Sequence, residues 1–302
     1  MRQNTMKSSF LLVLAAFIWG VAFVAQSVGM DYVGPFTFVG ARYLIGGLVL
    51  IPCIAFLKKL GYGDDGNKSE TQKKEEFRIG VRGGIFCGLA LFISSSLQQI
   101  GIMYTTVGKA GFITALYIVI VPILGIFMKK KVSWTIWISV AVAVIGMYLL
   151  CITDGFSIGT GDIYVFLGAS GYSFHISVTD HFSPKADGVL ISCVQFFVAG
   201  ILGTIVAFAV ETPDLKSLCA AWAPVLYAGI LSSGAGYTLQ IVGQKNMNPV
   251  VASLLLSLES VFSLIAGWVL LGQRLSVKEQ FGCLLMFCAI ILAQIPAPKK
   301  QK

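Results

Sequence analysis

The sequence predicts an all-α membrane protein of ten transmembrane helices, arranged as two inverted five-helix repeats. Three observations lead there. The 302 residues are 56% hydrophobic and only 12% charged, about half the charged share of a soluble domain. The charges gather in short blocks between apolar runs of about twenty residues, the length that spans a bilayer. The second half of the chain also echoes the first. The net charge of +8 comes from Lys and Arg that cap apolar segments rather than forming a basic face, so the bilayer, not nucleic acid, is the expected partner.

The spans follow in order along the chain. The first, 8–28, has the basic flank Arg2 and Lys7 and is too long for a signal-peptide core, so it is expected to stay uncleaved. The second, 35–57, holds Arg42. Residues 58–79 are polar and mixed in charge, which predicts a flexible cytoplasmic loop or a surface-lying segment. The third span, 80–103, opens on Gly80, Gly84 and Gly88, a ladder at spacing four that lets a neighbouring helix come close. Spans 109–128 and 133–151 complete a first repeat over 1–152. A second repeat over 160–296 holds spans 161–180, 188–210, 220–243, 249–271 and 277–295. Residues 297–302 form a basic tail.

Lys and Arg set the orientation. With the N-terminus inside, the inner segments hold seventeen of them and the outer segments four, namely Lys109, Lys216, Arg274 and Lys278. Both termini are therefore expected in the cytoplasm, and the simple layout without targeting segments fits a bacterial plasma membrane. Sliding the halves at an offset of 153 pairs Ala16 with Ala169, Trp19 with Tyr172, Arg42 with Gln195 and Gly47 with Gly200. An offset of 142 lays "LQIVG" at 239–243 over "LQQIG" at 97–101, and pairs Ala110 with Ala252, Leu116 with Leu258 and Tyr117 with Glu259. Five helices per repeat is an odd number, so the repeats would be inverted relative to one another.

The opening "AAFIWGVAFV…GPFTFVGARYLIGGLVLIP", the start of the second half "GDIYVFLGASGYSF…VQFFVAG" and the ending "SLESVFSLIAGWVLLGQRLS" resemble the drug/metabolite transporter superfamily, and within it the EamA-type members with ten helices. The resemblance covers the chain apart from the 58–79 loop and the Lys-rich tail. It implies a cavity lined by helices 1, 3, 4, 6, 8 and 9, a small polar or amphipathic metabolite such as an amino acid as cargo, and export as the usual direction. Gln273 departs from the pattern, because family members usually carry Glu in that turn; the departure touches a local turn contact at the membrane interface.

Polar groups inside spans are functional candidates by default. Glu259 is the one acidic residue placed deep in the membrane, where a charge costs roughly 2.5–3.5 kcal/mol. It is a candidate proton carrier; the competing reading is a hydrogen bond that ties helices together. Arg42 lies roughly 10 Å into its helix at 1.5 Å per residue and must pair, snorkel or face water. Resemblance to the family implies a structural role for it, and a pair with Glu259 is conceivable. His175 suits a proton relay, but without a second ligand at Thr179 it is a poor metal candidate. The amides Gln98, Gln99, Gln195 and Gln240 suit zwitterionic or hydroxylated cargo or, equally, bonds between helices; Gln98 and Gln240 occupy matching repeat positions. Among the aromatics Phe23, Tyr172, Tyr237, Trp268, Trp19 and Tyr117, the last two are the favoured cavity walls.

Other chemistry finds no support. The seven cysteines fall in or at the ends of apolar runs without a C-x-x-C pair, and read as small buried apolar residues. "TTVGKAG" at 105–111 echoes a phosphate loop but has Met103 and Ala110 where that motif needs Gly and Ser or Thr. No hydrolase or metal-spaced motif occurs, so neither an enzyme nor a metal or other cofactor is expected. The reading is a secondary transporter working by alternating access, with protons or the cargo's own gradient as driving force. An uncoupled metabolite permease, a non-transporting membrane protein and a membrane enzyme are the alternatives, and oligomeric state is open.

Overall fold

The computed structural model describes residues 2–59, 69–105, 107–127, 132–151, 159–245, 247–271 and 276–294. Gln273 and the 297–302 tail lie outside them. The first half contributes α1 (Arg2–Gly29), α2 (Pro35–Lys59), α3 (Glu70–Ile102), α4 (Val107–Ala115), α5 (Tyr117–Phe127) and α6 (Trp134–Cys151). The second half contributes α7 (Thr160–Phe182), α8 (Gly188–Val210), the short α9 (Leu215–Ala220) and α10 (Trp222–Leu226), a π-helical stretch (Tyr227–Tyr237), α11 (Thr238–Gln244), α12 (Pro249–Leu256), α13 (Glu259–Leu271) and α14 (Val277–Gln294). No strand occurs among the described residues.

Among the described residues, seven helical segments are long and apolar enough to cross a membrane, while Trp134–Gly146 and Gln280–Leu292 are shorter apolar stretches. The 23-residue α7 is long but less apolar, because Gly, Ser and Tyr residues and His175 interrupt it. Its polar groups turn inward: Ser173, His175 and Thr179 are buried while Ile163, Phe166 and Phe174 are exposed. The whole molecule follows that pattern. Arg42, Gln98, Gln99, Gln195, Gln240 and Glu259 are buried, whereas Leu48, Ile51, Ile93, Ile205, Phe208 and Val269 face outward. Water would reverse this arrangement; a hydrocarbon solvent rewards it.

Part of the expected 58–79 loop is helix. Ser69 caps α3: its Oγ accepts from the Gln72 N–H at 3.2 Å, and Gln72 Oε1 accepts from the Ser69 N–H at 2.9 Å. A Lys73–Glu70 ion pair at 3.2 Å supports the first turn. The run "ETQKKEEF" is polar, which suggested a loop, but Glu, Lys and Gln are good helix formers, and a capped start lets α3 project beyond the apolar span.

Helix packing places the core. α2 lies on α8, α3 on α7 and α8, α6 on α14, and α1 on α13 and the π-helical stretch. The neighbour of the glycine ladder is α8. A Cβ on Gly80 would come 2.8 Å from Leu190 Cδ2, one on Gly84 2.5 Å from Val194 Cβ, and one on Gly88 2.7 Å from Val198 Cβ. Both ladders step by four, so the two helices keep register along their contact.

α8 also closes the start of α2. Glu211, just past the α8 C-terminus, accepts from the Phe36 N–H at 2.8 Å through Oε1, and from the Thr37 N–H at 2.9 Å and the Thr37 hydroxyl at 2.6 Å through Oε2. A carboxylate there satisfies orphan helix donors and complements the dipole. Glu211→Ala is expected to destabilise the protein by about 1–3 kcal/mol, read as a lower melting temperature of the purified protein. An unchanged value would mean that water caps α2 equally well.

Candidate functional site

Two helices are interrupted midway. The first break separates α4 from α5 at Leu116, and the second separates α12 from α13 at Ser257–Leu258. At each, the ladder tightens to i→i+3 bonds: Leu116 N–H to Ile113 O at 3.2 Å and Val119 N–H to Leu116 O at 2.9 Å, then Leu258 N–H to Leu255 O at 3.3 Å and Ser260 N–H to Ser257 O at 3.1 Å. The second break has a visible local cause. Ser253, Ser257 and Ser263 each turn their hydroxyl back on the carbonyl three residues earlier, at 2.7–2.8 Å, a competition that bends helices. Ser260 instead donates to Gly111 O of α4 at 3.1 Å, tying the two broken helices together.

The residues that follow the breaks meet. The Tyr117 hydroxyl donates to Glu259 Oε1 at 3.0 Å, with both side chains buried. Tyr117 and Glu259 are the pair that the 142-residue offset superimposes.

That contact opens on a cavity. Glu259, His175, Gln98, Gln240, Tyr117, Trp19 and Arg42 all line it, as do Phe23, Tyr172 and Tyr237. The cavity volume is about 40 Å³, where roughly 10–15 Å³ holds one water. In this conformation the cavity takes a few waters and no metabolite.

Arg42 neither snorkels nor pairs with Glu259. It is 2% exposed, and no ion pair to it occurs among the described residues. Its Nη1 donates to Gln26 Oε1 at 2.8 Å and its Nη2 to the Tyr43 hydroxyl at 3.0 Å. Gln26 is aimed by its own amide, which donates to Ala22 O at 3.3 Å. The guanidinium carbon sits 4.6 Å from the Tyr43 ring centre and 5.8 Å from that of Phe38. Neutral acceptors and ring faces offset part of the desolvation cost, but Nε has no partner.

The matched amides are used differently. Gln98 is tied at both ends: its Oε1 accepts from the Tyr172 hydroxyl at 3.1 Å and its Nε2 donates to Thr114 at 2.9 Å. The positions matching Tyr172 and Thr114 are Trp19 and Leu256. Trp19 sends its one donor to Ser232 O at 3.1 Å, and Leu256 has no acceptor to match the Thr114 hydroxyl. Gln240 Oε1 is therefore left without a partner.

His175 is 1% exposed and shares 2.9 Å with Gln195 Oε1; an amide oxygen only accepts, so Nε2 carries the proton. Its ring meets Tyr237 edge-on at 5.9 Å. Gln195 stands behind His175, and Gln99 donates to Gln26 O at 3.3 Å; neither lines the cavity. Trp268 is half exposed on the outer face, so it is no cavity wall: its neighbours Val269 and Leu270 face outward with it. Gln26, Thr114 and Ser232 line the cavity and were missed. Gln26 sits near a span end, where polar residues are ordinary, and the two small hydroxyl residues carry no signal above the many others.

A model of the EamA-like transporter family matches residues 6–152 and again 159–294. An uncharacterized transporter of Archaeoglobus fulgidus is 28% identical over 296 residues, covering 94% of this chain and 84% of that protein. The uncharacterized transporter YwfM of Bacillus subtilis is 24% identical over 304 residues, covering 97% and 95%. A solved crystal structure shares the fold with a TM-score of 0.72 at 17% identity, covering 95% of this chain and 96% of that one.

Proposed function

The chain belongs to the EamA-like transporter family, and from that premise we propose that it is a secondary transporter moving a small polar or amphipathic, amino acid-like metabolite by alternating access. The observation that carries this reading is the Tyr117–Glu259 hydrogen bond at 3.0 Å, which joins the two helix breaks at the wall of one buried cavity. Broken helices at matching positions of two repeats are the usual place for a transported solute and its coupling ion.

Support for ten spans in two inverted repeats comes from the packing. α3 packs on α7 and α8, while its counterpart, the segment running from α10 through the π-helical stretch to α11, packs on α1 and α2. α1 packs on α13, and its counterpart α7 packs on α4 and α5. The family model's two successive matches fall on the same division. The cavity is too small for cargo as it stands, which fits a conformation between openings.

Both termini in the cytoplasm is the orientation that the Lys and Arg distribution supports, and export across the plasma membrane is the direction that the family resemblance implies. Cys219 is exposed near the loop assigned to the outside, while Cys87 and Cys193 are buried. In a variant that keeps Cys219 as its one cysteine, a membrane-impermeant thiol reagent should label intact cells. Labelling only after permeabilisation would reverse the orientation.

Transport is tested with the purified protein in liposomes, by following uptake of labelled metabolites under an imposed pH gradient. Accumulation that follows the gradient is the expected result. Exchange of solute that ignores the gradient would favour an uncoupled permease, with the Tyr117–Glu259 bond as a purely structural tie. No solute movement at all would defeat the transporter reading.

A further inference from the structure

We propose that the cargo is a zwitterion, with its carboxylate taken by Arg42 and its ammonium by Gln240 Oε1 and Glu259 across the same cavity. The proposal rests on the transporter reading and names the chemistry of what is carried.

A guanidinium has five N–H donors. At Arg42 one on Nη1 goes to Gln26 and one on Nη2 to Tyr43, and Nε donates to nothing. The group is buried, borders the cavity and has no carboxylate partner among the described residues. A fixed buried cation in that condition lacks a counter-charge, and a planar fork fits a carboxylate through two parallel bonds. Gln26 and Tyr43 hold the fork in place, so it is preorganised rather than free to swing.

The same cavity presents the opposite need elsewhere. Gln240 Oε1 is a buried acceptor with no donor, because Trp19, whose one N–H goes to Ser232 O, stands where Tyr172 donates to Gln98. Glu259 accepts only through Oε1, from Tyr117. One unmatched donor group and two acceptors with spare capacity, all lining one cavity, complement a solute that carries both an anion and an N–H cation. A dianionic phosphate would leave excess negative charge beside Glu259, so a carboxylate is the better match for a single Arg. The aromatic walls Trp19, Tyr172 and Tyr237 suit an apolar side chain and present ring faces that attract an ammonium.

The test uses the full-length protein, purified for melting-temperature shifts and reconstituted for counterflow. Probes are the common α-amino acids, with two matched sets: leucine, isopentylamine and 4-methylpentanoate, and phenylalanine, phenethylamine and 3-phenylpropanoate. Inorganic phosphate and a nucleoside complete the panel. At least one amino acid is expected to bind and exchange, with its amine and acid analogues at least tenfold weaker. Arg42→Gln should weaken that amino acid by roughly 100-fold, the scale of truncating one partner of a buried charge pair, and Arg42→Lys should recover part of it. If Arg42→Gln does not fold, Gln240→Leu reads the other end: amino acid binding should fall while binding of the deaminated acid stays level. An analogue that matches its parent amino acid overturns the proposal. So does binding of phosphate or nucleoside with no amino acid bound, an outcome that leaves the transporter reading standing. A protein that exchanges no solute defeats both.

Discussion

Glu259→Gln is expected to abolish the response of uptake to a pH gradient while leaving the folded protein intact. The glutamine oxygen still accepts the Tyr117 hydroxyl that Glu259 Oε1 receives at 3.0 Å, and the side chain keeps its length and shape. What it loses is the ability to bind and release a proton. Each pH unit across the membrane is worth about 1.4 kcal/mol per proton, or about tenfold in the cargo gradient it sustains. Accumulation in liposomes should therefore fall from near tenfold per pH unit to none, while solute exchange at equal pH is weakened but not lost, because Gln240 Oε1 and the new glutamine oxygen still accept from the cargo. A variant that still follows the pH gradient would remove Glu259 from coupling and leave it a link between helices.

Gly88→Leu should do comparable damage by a mechanical route. A Cβ at Gly88 would lie 2.8 Å from the Gln195 carbonyl oxygen and 2.7 Å from Val198 Cβ, and backbone on α8 cannot swing aside as a side chain can. Overpacking commonly costs about 1–3 kcal/mol, and here the whole register of α3 against α8 must shift to admit the larger residue. The variant should yield little monodisperse protein, and Gly88→Ala should fold with a lower melting temperature. Because Gln195 also holds His175 at 2.9 Å, surviving Gly88→Ala protein should show altered transport as well. Wild-type behaviour in both variants would mean that α3 and α8 are free to slide apart.

The spans were legible because lipid imposes a simple rule: long apolar runs with charges at their ends. Candidate polar residues were legible for the same reason, since each breaks an otherwise apolar run. The breaks themselves were not. "ALYIV" at 115–119 and "LSLES" at 256–260 contain neither Pro nor Gly, and hydropathy passes through them undisturbed. The serines at 253, 257 and 263 were the available sign, because each turns its hydroxyl on a carbonyl of its own helix. Repeat alignment was more informative than it looked, since it paired Tyr117 with Glu259 before their contact was visible. The fate of Arg42 was out of reach: its partners Gln26 and Tyr43 look unremarkable in sequence. So was the unmet acceptor of Gln240, which follows from what its counterparts lack.

Glu259 is the one acidic side chain among the residues that line the cavity, and its repeat counterpart is a tyrosine. A single carboxyl moves at most one proton per cycle, so coupling through this site has a fixed stoichiometric ceiling. With a cargo of no net charge, one elementary charge crosses per turnover, worth about 2.3 kcal/mol per 100 mV. That sustains a concentration ratio of about 50-fold for each 100 mV, with a further tenfold for each pH unit. A second carboxylate at position 117 would in principle square those ratios. If Glu259 carries the coupling proton, the tyrosine there would hold transport to one proton per cycle.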